Sequence, residues 1–200
     1  KQWNIHSSDQ KHDGCYAHRT MLMHRQVAQL FGDVPTDMED YILASQISQA
    51  EAKKFFIEHM RAKMARNGGV IWWNLVDGWP QMSDAIVDYY YSKKLAYDFI
   101  KRSQRDFIIM LDEMSSWKHD IITANSTLET VKGHVKISDL DSGKVFFEKD
   151  FTAAPNSNTK LGDLPLMYSD KGMFLIEWEL ENGEKYFKNL SGNKGFTENY

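Results

Sequence analysis

The chain has 200 residues, 42% of them hydrophobic and 13% aromatic, and a formal net charge of −4 at pH 7. This length and composition suffice for one large domain or two small ones with packed cores. The negative charge and the absence of a lysine and arginine cluster argue against a nucleic-acid-binding surface. No apolar stretch is long enough to span a membrane. The single cysteine, Cys15, excludes a framework of internal disulfides.

The first half of the sequence predicts three helices. Apolar residues recur at helical spacing over residues 17–31 and predict the first helix. The second runs from residue 36 to about residue 66. It begins with a capping box, in which the Thr36 hydroxyl and the Glu39 carboxylate accept hydrogen bonds from free backbone amides. The third helix is predicted from about residue 92 to residue 103.

Between the second and third helices, residues 68–80 (GGVIWWNLVDGWP) have the pattern of a short buried strand that ends at a polar, aromatic turn. The apolar run over residues 70–75 is typical of a parallel strand that is covered on both faces. Parallel α/β proteins place their sites at the carboxyl ends of strands. Asn74, Asp77 and Trp79 are therefore candidate site residues.

From about residue 104 the pattern changes to short β-rich runs separated by turn residues. Strands are predicted at residues 107–111, 119–123, 130–139, 144–151, 173–180 and 185–189, with hairpin turns at 139–143 and 181–184. Short strands at such regular intervals are typical of an antiparallel sandwich of immunoglobulin type. The sequence thus predicts two domains, residues 1–104 and 105–200.

Residues 69–80 (GVIWWNLVDGWP), followed by 87–90 (VDYY) and 93–97 (KKLAY), resemble the end of the catalytic barrel in β-mannosidase-like enzymes of family two of the glycoside hydrolases. Residues 37–41 (DMEDY) and 45–52 (SQISQAEA) resemble the long barrel helix of that family. The β-rich tail is similar to the sandwich that follows the barrel there. The resemblance spans nearly the whole chain.

The resemblance implies an α/β plus β fold: residues 1–104 would be the C-terminal part of a (β/α)₈ barrel, with residues 70–75 as strand eight, before an immunoglobulin-like sandwich. A whole barrel needs ~250 residues, and the chain does not begin with methionine, so we expect it to be a piece of a longer protein. A cut barrel exposes an apolar strand edge. We expect residues 70–75 to pair across a homodimer or to be shielded by the helices.

The activity that the resemblance implies is that of an exo-acting retaining β-glycosidase, most similar to β-mannosidase, acting on terminal non-reducing sugars. Such enzymes use two carboxyl groups ~5–5.5 Å apart. In the family these are glutamates, one after an asparagine and one in a Ser-Glu-aromatic-Gly context, on earlier strands, and neither motif occurs here. We therefore expect no catalytic residue in this chain, no activity of the chain alone, and no cofactor. A periplasmic or secreted location is expected rather than a cytoplasmic one.

The resemblance aligns Trp73 with the tryptophan that forms the floor of the sugar site, where an aromatic face suits the apolar side of a pyranose. Alternatively, Trp72 and Trp73 both pack in the core. Since neighbours on a strand point to opposite faces, one of them should face the barrel interior. Asp77 and Trp79 either extend the wall of the substrate site or cap the turn.

Two other interpretations of the sequence are a metal site and a non-catalytic binding module. His6, His12, His18 and His24 recur every six residues, a spacing that scatters them around a helix, and no known zinc-ligand spacing fits, so no metal site is predicted. The alternative function is a non-catalytic carbohydrate- or protein-binding sandwich. It would need exposed coplanar aromatic residues, for which the candidates are Trp117 and Trp178, although core positions suit both.

Overall fold

The computed structural model describes His6 and residues 19–64, 66–165 and 172–192. It divides into two units, one of Lys1–Ile57 with Val70–Gln104 and the other of Glu58–Gly69 with Arg105–Tyr200. The structure is mixed helix and sheet. Within the described ranges, no helix is long and apolar enough to cross a membrane.

From residue 19 onward, the described residues contain three helices: α1 (Arg19–Phe31), α2 (Met38–Ala62) and α3 (Leu95–Ser103). Helix α1 ends at Gly32, whose φ is +87° and whose N–H donates to the carbonyl of Ala28 at 2.8 Å. A residue in the left-handed region is a common helix terminator, and glycine adopts it without strain. The three predicted helices are therefore present, and α2 and α3 are shorter than predicted.

The start of α2 differs from the predicted capping box. The carboxylate of Asp37 accepts hydrogen bonds from the backbone N–H groups of Glu39 and Asp40, at 2.9 and 3.2 Å. Because the helix begins at Met38, the N-cap is Asp37, and the assignment of that role to Thr36 was wrong. A carboxylate at this position satisfies free amides and interacts favourably with the helix dipole.

The core of the first unit lies between α2, α3 and the segment before α3. Its buried residues are Ala50, Ile57, Ile86, Val87, Ala96 and Ile100, and the partly buried Val70, Trp72, Leu95, Tyr97 and Phe99 pack against them. Helix α3 thus contributes Leu95, Ala96, Phe99 and Ile100 to this core.

The predicted strand at residues 70–75 is not formed. The only pairing near it in the described chain is a single parallel bridge between Val76 and Val87, in which Val87 N–H donates to Leu75 O at 2.9 Å. A parallel strand needs a neighbour along its length, and the described residues supply one only at its end. The segment lacks a ladder, and the chain bends at Trp73 and Leu75. We keep the name extended segment for residues 70–75, after the predicted strand.

The side chains of this segment alternate in burial. Val70 and Trp72 are half-buried against the core of the first unit, whereas Ile71 is 99% exposed and Leu75 is also exposed. Alternation with period two is the geometry of a β-strand. The expected shielding by the helices therefore covers one side of the segment and leaves the other side bare.

The second unit contains two antiparallel sheets, as the sequence predicts. Its described strands are β1 (Phe107–Leu111), β2 (Lys118–Asn125), β3 (Val131–Asp139), β4 (Val145–Ala153), β5 (Ser157–Pro165), β6 (Gly172–Leu180) and β7 (Lys185–Gly192). One sheet has the order β1-β2-β5 and the other β4-β3-β6-β7. This is a sandwich arrangement of immunoglobulin type. Strand β5 was not predicted.

Side chains that point inward from both sheets form the sandwich core. The most deeply buried are Ile109, Ile121, Val135, Ile137, Leu164 and Ile176. Phe107 and Phe151 stack in it with ring centroids 5.5 Å apart. Both predicted hairpin turns are present: Asp139 accepts from the N–H of Ser142 at 2.8 Å, and Gly183 has φ +86°.

The last turn of α2 belongs to the second unit, whereas the sequence analysis placed it in the first domain. Ala62 packs against a second cluster of the sandwich, on the far face of β1 and β2, formed by Ile108, Met110, Ile122 and Ala124. Strand β1 is consequently buried along its whole length. This contact explains why Glu58–Gly69 group with the strands.

Candidate functional site

Asp77 organises the turn that follows the extended segment. It is 3% exposed, and its carboxylate accepts hydrogen bonds from Gln81 Nε2 at 3.1 Å and from the Ser83 hydroxyl. Lys94 Nζ lies 3.4 Å from its other oxygen. A buried carboxylate is stable only when paired and hydrogen-bonded, as this one is. We therefore assign it a structural role in holding the turn.

Trp73 occupies the exposed side of the extended segment, and 71% of the residue is accessible. Its backbone carbonyl accepts a hydrogen bond from Lys53 Nζ at 2.6 Å. The peptide bond between Trp73 and Asn74 is cis. The side-chain amide of Asn74 donates to the backbone carbonyl of Val76 at 3.4 Å. The backbone carbonyl of Asn74 accepts from the N–H of Ile86 at 3.2 Å.

Lys53 contacts both tryptophans of the segment. Besides its bond to the Trp73 carbonyl, its ammonium lies 5.2 Å from the ring centroid of Trp72, in cation–π geometry. Burial lowers the pKa of Lys53, with the Asp84 carboxylate opposing this shift and the Lys94 ammonium adding to it. The lysine therefore carries a partly desolvated charge that these contacts stabilise.

Trp79 lies in the turn after Asp77 and is 46% exposed. The His6 ring is near it, with centroids 6.3 Å apart, and His6 Nδ1 lies 2.8 Å from the carbonyl oxygen of Pro80. The N–H of Met82 donates to the His6 carbonyl at 2.9 Å. These contacts fix the backbone around Trp79 and leave part of its ring accessible.

The histidines show no metal centre in the described residues, where no group of three or more potential ligands occurs. His24 packs edge-on against Tyr41, with centroids 5.0 Å apart. His12, His18 and Cys15 lie outside the described residues.

No family model matches the chain. Among curated proteins it is similar to β-mannosidase B of Emericella nidulans, with 29% identity over 149 residues, which cover 64% of this chain and 18% of that protein. β-Mannosidase B of Aspergillus niger is 29% identical over 147 residues, covering 63% and 17%. Among solved structures, the β-D-mannosidase of Dictyoglomus thermophilum superposes with a TM-score of 0.75 and 30% identity, over 88% of this chain and 23% of that one.

The resemblance to β-mannosidase-like proteins of glycoside hydrolase family two is confirmed. The exo-chitosanase of Amycolatopsis orientalis, at 17% identity and a TM-score of 0.69, shares the fold over 86% of this chain and 22% of its own. The chain spans about a fifth of the length of the curated relatives that it matches.

A third exposed aromatic group is formed by Tyr89–Tyr91, which were not among the predicted site residues. Tyr91 is 80% exposed. The Asp88 carboxylate accepts from the N–H groups of Tyr90 and Ser92, each at 2.8 Å, and so orders this turn. The Asp-Tyr-Tyr element of the family pattern was the available signal. The sequence does not point to Lys53, because its hydrogen bond to the Trp73 carbonyl joins residues that are 20 positions apart.

The first unit contains exposed aromatic residues and carboxylates that are engaged in hydrogen bonds. Trp73 and Trp79 present accessible rings, whereas Asp77 is buried and Asp88 caps a turn. Aromatic faces bind the apolar side of a sugar, but glycoside hydrolysis needs two available carboxyl groups. The exposed residues Trp73 and Trp79 are thus candidates for contact with a sugar.

Proposed function

We propose that this chain forms the end of the catalytic (β/α)₈ barrel and the following immunoglobulin-like sandwich of an exo-acting retaining β-glycosidase, a β-mannosidase by similarity. The observation that carries the proposal is Trp73, exposed at the end of an extended segment in a chain that aligns with β-mannosidases by sequence and by structure. The carboxylates that cleave the glycosidic bond would lie in polypeptide outside these 200 residues.

The alternation along residues 70–75 supports the assignment of this segment as barrel strand eight. A barrel strand presents one side to the surrounding helices and the other to the interior. Val70 and Trp72 contact the helical core, while Ile71 and Trp73 point away from it. The bare side is the one that the remainder of a barrel would cover.

Trp73 and Trp79 are the proposed sugar contacts. The accessible indole of Trp73 would form the floor of the site for a terminal β-mannoside, and Trp79 would extend its wall. Asp77 contributes indirectly by holding the turn that carries Trp79. The alternative of a binding sandwich has less support, because Trp178 is buried and stacks on Tyr186, with centroids 5.6 Å apart.

A chimera tests the proposal directly. The matching region of the Dictyoglomus thermophilum β-D-mannosidase is replaced by this chain, and hydrolysis of 4-nitrophenyl β-D-mannoside is measured. We expect the chimera to be active and the 200-residue chain alone to be inactive. In the chimera, Trp73→Ala should lower kcat/KM by about a hundredfold. The exposed Trp117 of the second unit provides the matched control, Trp117→Ala, which should leave kcat/KM unchanged.

Two results would overturn parts of this proposal. Hydrolysis by the 200-residue chain alone would show that it contains its own catalytic carboxylates. A folded, active chimera in which Trp73→Ala behaves like Trp117→Ala would remove Trp73 from the sugar site.

A further inference from the structure

We propose that Lys53 is a positioning residue for Trp73: its ammonium holds the Trp73 carbonyl and thereby sets the orientation of the exposed indole. The inference rests on the proposed function in one respect, namely that the indole contacts the sugar. The positioning itself is a property of the 200-residue chain and can be tested without any substrate.

The helix that carries Lys53 is packed in the core of the first unit. Lys53 lies on α2 between Ala50 and Ile57, which are both fully buried in this core. From there Nζ lies 2.6 Å from the Trp73 carbonyl oxygen and 5.2 Å from the Trp72 ring centroid. One ammonium on a rigid helix therefore engages two consecutive residues of the extended segment.

Other contacts that hold Trp73 are few. Among the described residues, no backbone–backbone hydrogen bond joins residues 70–73 to another segment, and the bonds to Ile86 and Val87 start at Asn74 and Leu75. The indole itself is largely exposed, so packing does not fix it. Because the side-chain direction follows the backbone of the residue that bears it, the bond from Lys53 to the carbonyl controls where the ring points.

A lysine suits this contact better than an arginine. A compact ammonium donates along several directions and suits a single carbonyl beside an aromatic face, whereas a guanidinium is a planar fork. The lysine stem is long enough to cross from the helix while covering apolar surface. A methionine at this position would keep a long apolar side chain but could not donate a hydrogen bond to the Trp73 carbonyl. Lys53→Met therefore tests the contact directly.

The first experiment uses the 200-residue chain and NMR of its six tryptophan indole N–H groups. The Trp73 signal is assigned by its loss in Trp73→Phe. We expect Lys53→Met to shift or broaden this signal and Lys53→Arg to do so less. Lys93→Met is the matched control, since Lys93 lies over Tyr97, at 4.5 Å, instead of a tryptophan. An unchanged Trp73 signal in folded Lys53→Met would overturn the proposal.

The second experiment uses the active chimera and separates KM from kcat. Lys53→Met should raise KM for 4-nitrophenyl β-D-mannoside by about tenfold, and Lys53→Arg should partly restore it. In a Trp73→Ala background the same substitution should have no further effect, because the two residues act as one unit. Additive effects would contradict a role through Trp73. If the NMR signal moves but Trp73→Ala leaves KM and kcat unchanged, the positioning stands and the proposed sugar contact fails.

Discussion

Asn158 Nδ2 lies 2.8 Å from the carbonyl oxygen of Arg61, although 97 residues separate the two in the chain. The same amide donates to the carbonyl of Ala62 at 2.9 Å. The last carbonyls of a helix have no partner within it. At the end of α2, strand β5 donates to two of them, of which the carbonyl of Arg61 also accepts from the N–H of Met64 at 3.1 Å. The Arg61 guanidinium in turn donates to the carbonyl of Arg105 at 2.7 Å.

Replacing Asn158 by alanine should destabilise the second unit. Two carbonyl groups would lose the hydrogen bond from the Asn158 amide, and the carbonyl of Arg61 would keep only the N–H of Met64, at 3.1 Å. We expect the free energy of unfolding to fall by about 2 kcal/mol. Urea unfolding measures the change. Ser157→Ala is the neighbouring control, since the Ser157 hydroxyl bonds only locally, to Ala154 O at 2.9 Å. Equal losses for the two variants would show that the contact of Asn158 with α2 is not stabilising.

Asp77→Asn should weaken the turn that carries Trp79. The substitution leaves Lys94 facing a neutral amide inside a largely buried site, and we expect a loss of about 2 kcal/mol. Denaturation followed by tryptophan fluorescence measures it. The control is Asp88→Asn, where an amide oxygen can still accept from the N–H groups of Tyr90 and Ser92, so stability should change little. A larger loss in Asp88→Asn would refute the importance of the buried pair.

His134 should make the stability of the sandwich depend on pH. Hydrogen bonds to Asp150 and Glu148 raise its pKa above the ordinary value of 6.5. The stabilisation is therefore complete below pH 6.5 and is lost as pH rises through the raised pKa. We expect Tm to drop on His134→Gln at pH 5.5 and to drop less at pH 8.5, with thermal melts as the measurement. A Tm difference that grows with pH would contradict this sign.

The bare side of residues 70–75 should drive self-association of the 200-residue chain. An exposed, apolar, unpaired extended segment tends to pair with another, and we propose a homodimer through this side. Sedimentation should show a concentration-dependent dimer that Ile71→Lys abolishes. Leu128→Lys is the control, because Leu128 is 87% exposed and belongs to the second unit. A parent chain that stays monomeric at all concentrations would disprove this pairing.

The distribution of apolar residues in the sequence predicted the three helices and six of the strands. Strand β1 was predicted from a continuous apolar run, and it is buried on both faces. Strand β5 escaped detection because its sequence, SNTKLGDLP, has only Leu161 and Leu164 buried and ends at a proline. It pairs with β2 alone, at the edge of its sheet. Polar edge strands carry little periodic signal.

The candidate site was less predictable, because its geometry depends on contacts between distant residues. The partners of Asp77 stand up to 17 residues further along the chain, so its burial could not be read from the turn itself. An apolar run predicted cover on both faces of residues 70–75, but the sequence does not show whether a partner for the second face is present. Thr36 and Asp37 are both good N-cap residues, and only the start of the helix at Met38 decides between them.

The final turn of α2 determines where the chain can be shortened. A truncated protein that begins at Arg105, where the strands begin to dominate, would uncover Ile108, Met110, Ile122 and Ala124 by removing Ala62. It would also leave Asn158 without its two acceptors. A soluble, separately expressed sandwich should therefore start no later than Glu58. Protease cleavage between residues 62 and 105 should leave the last turn of α2 bound to the sandwich.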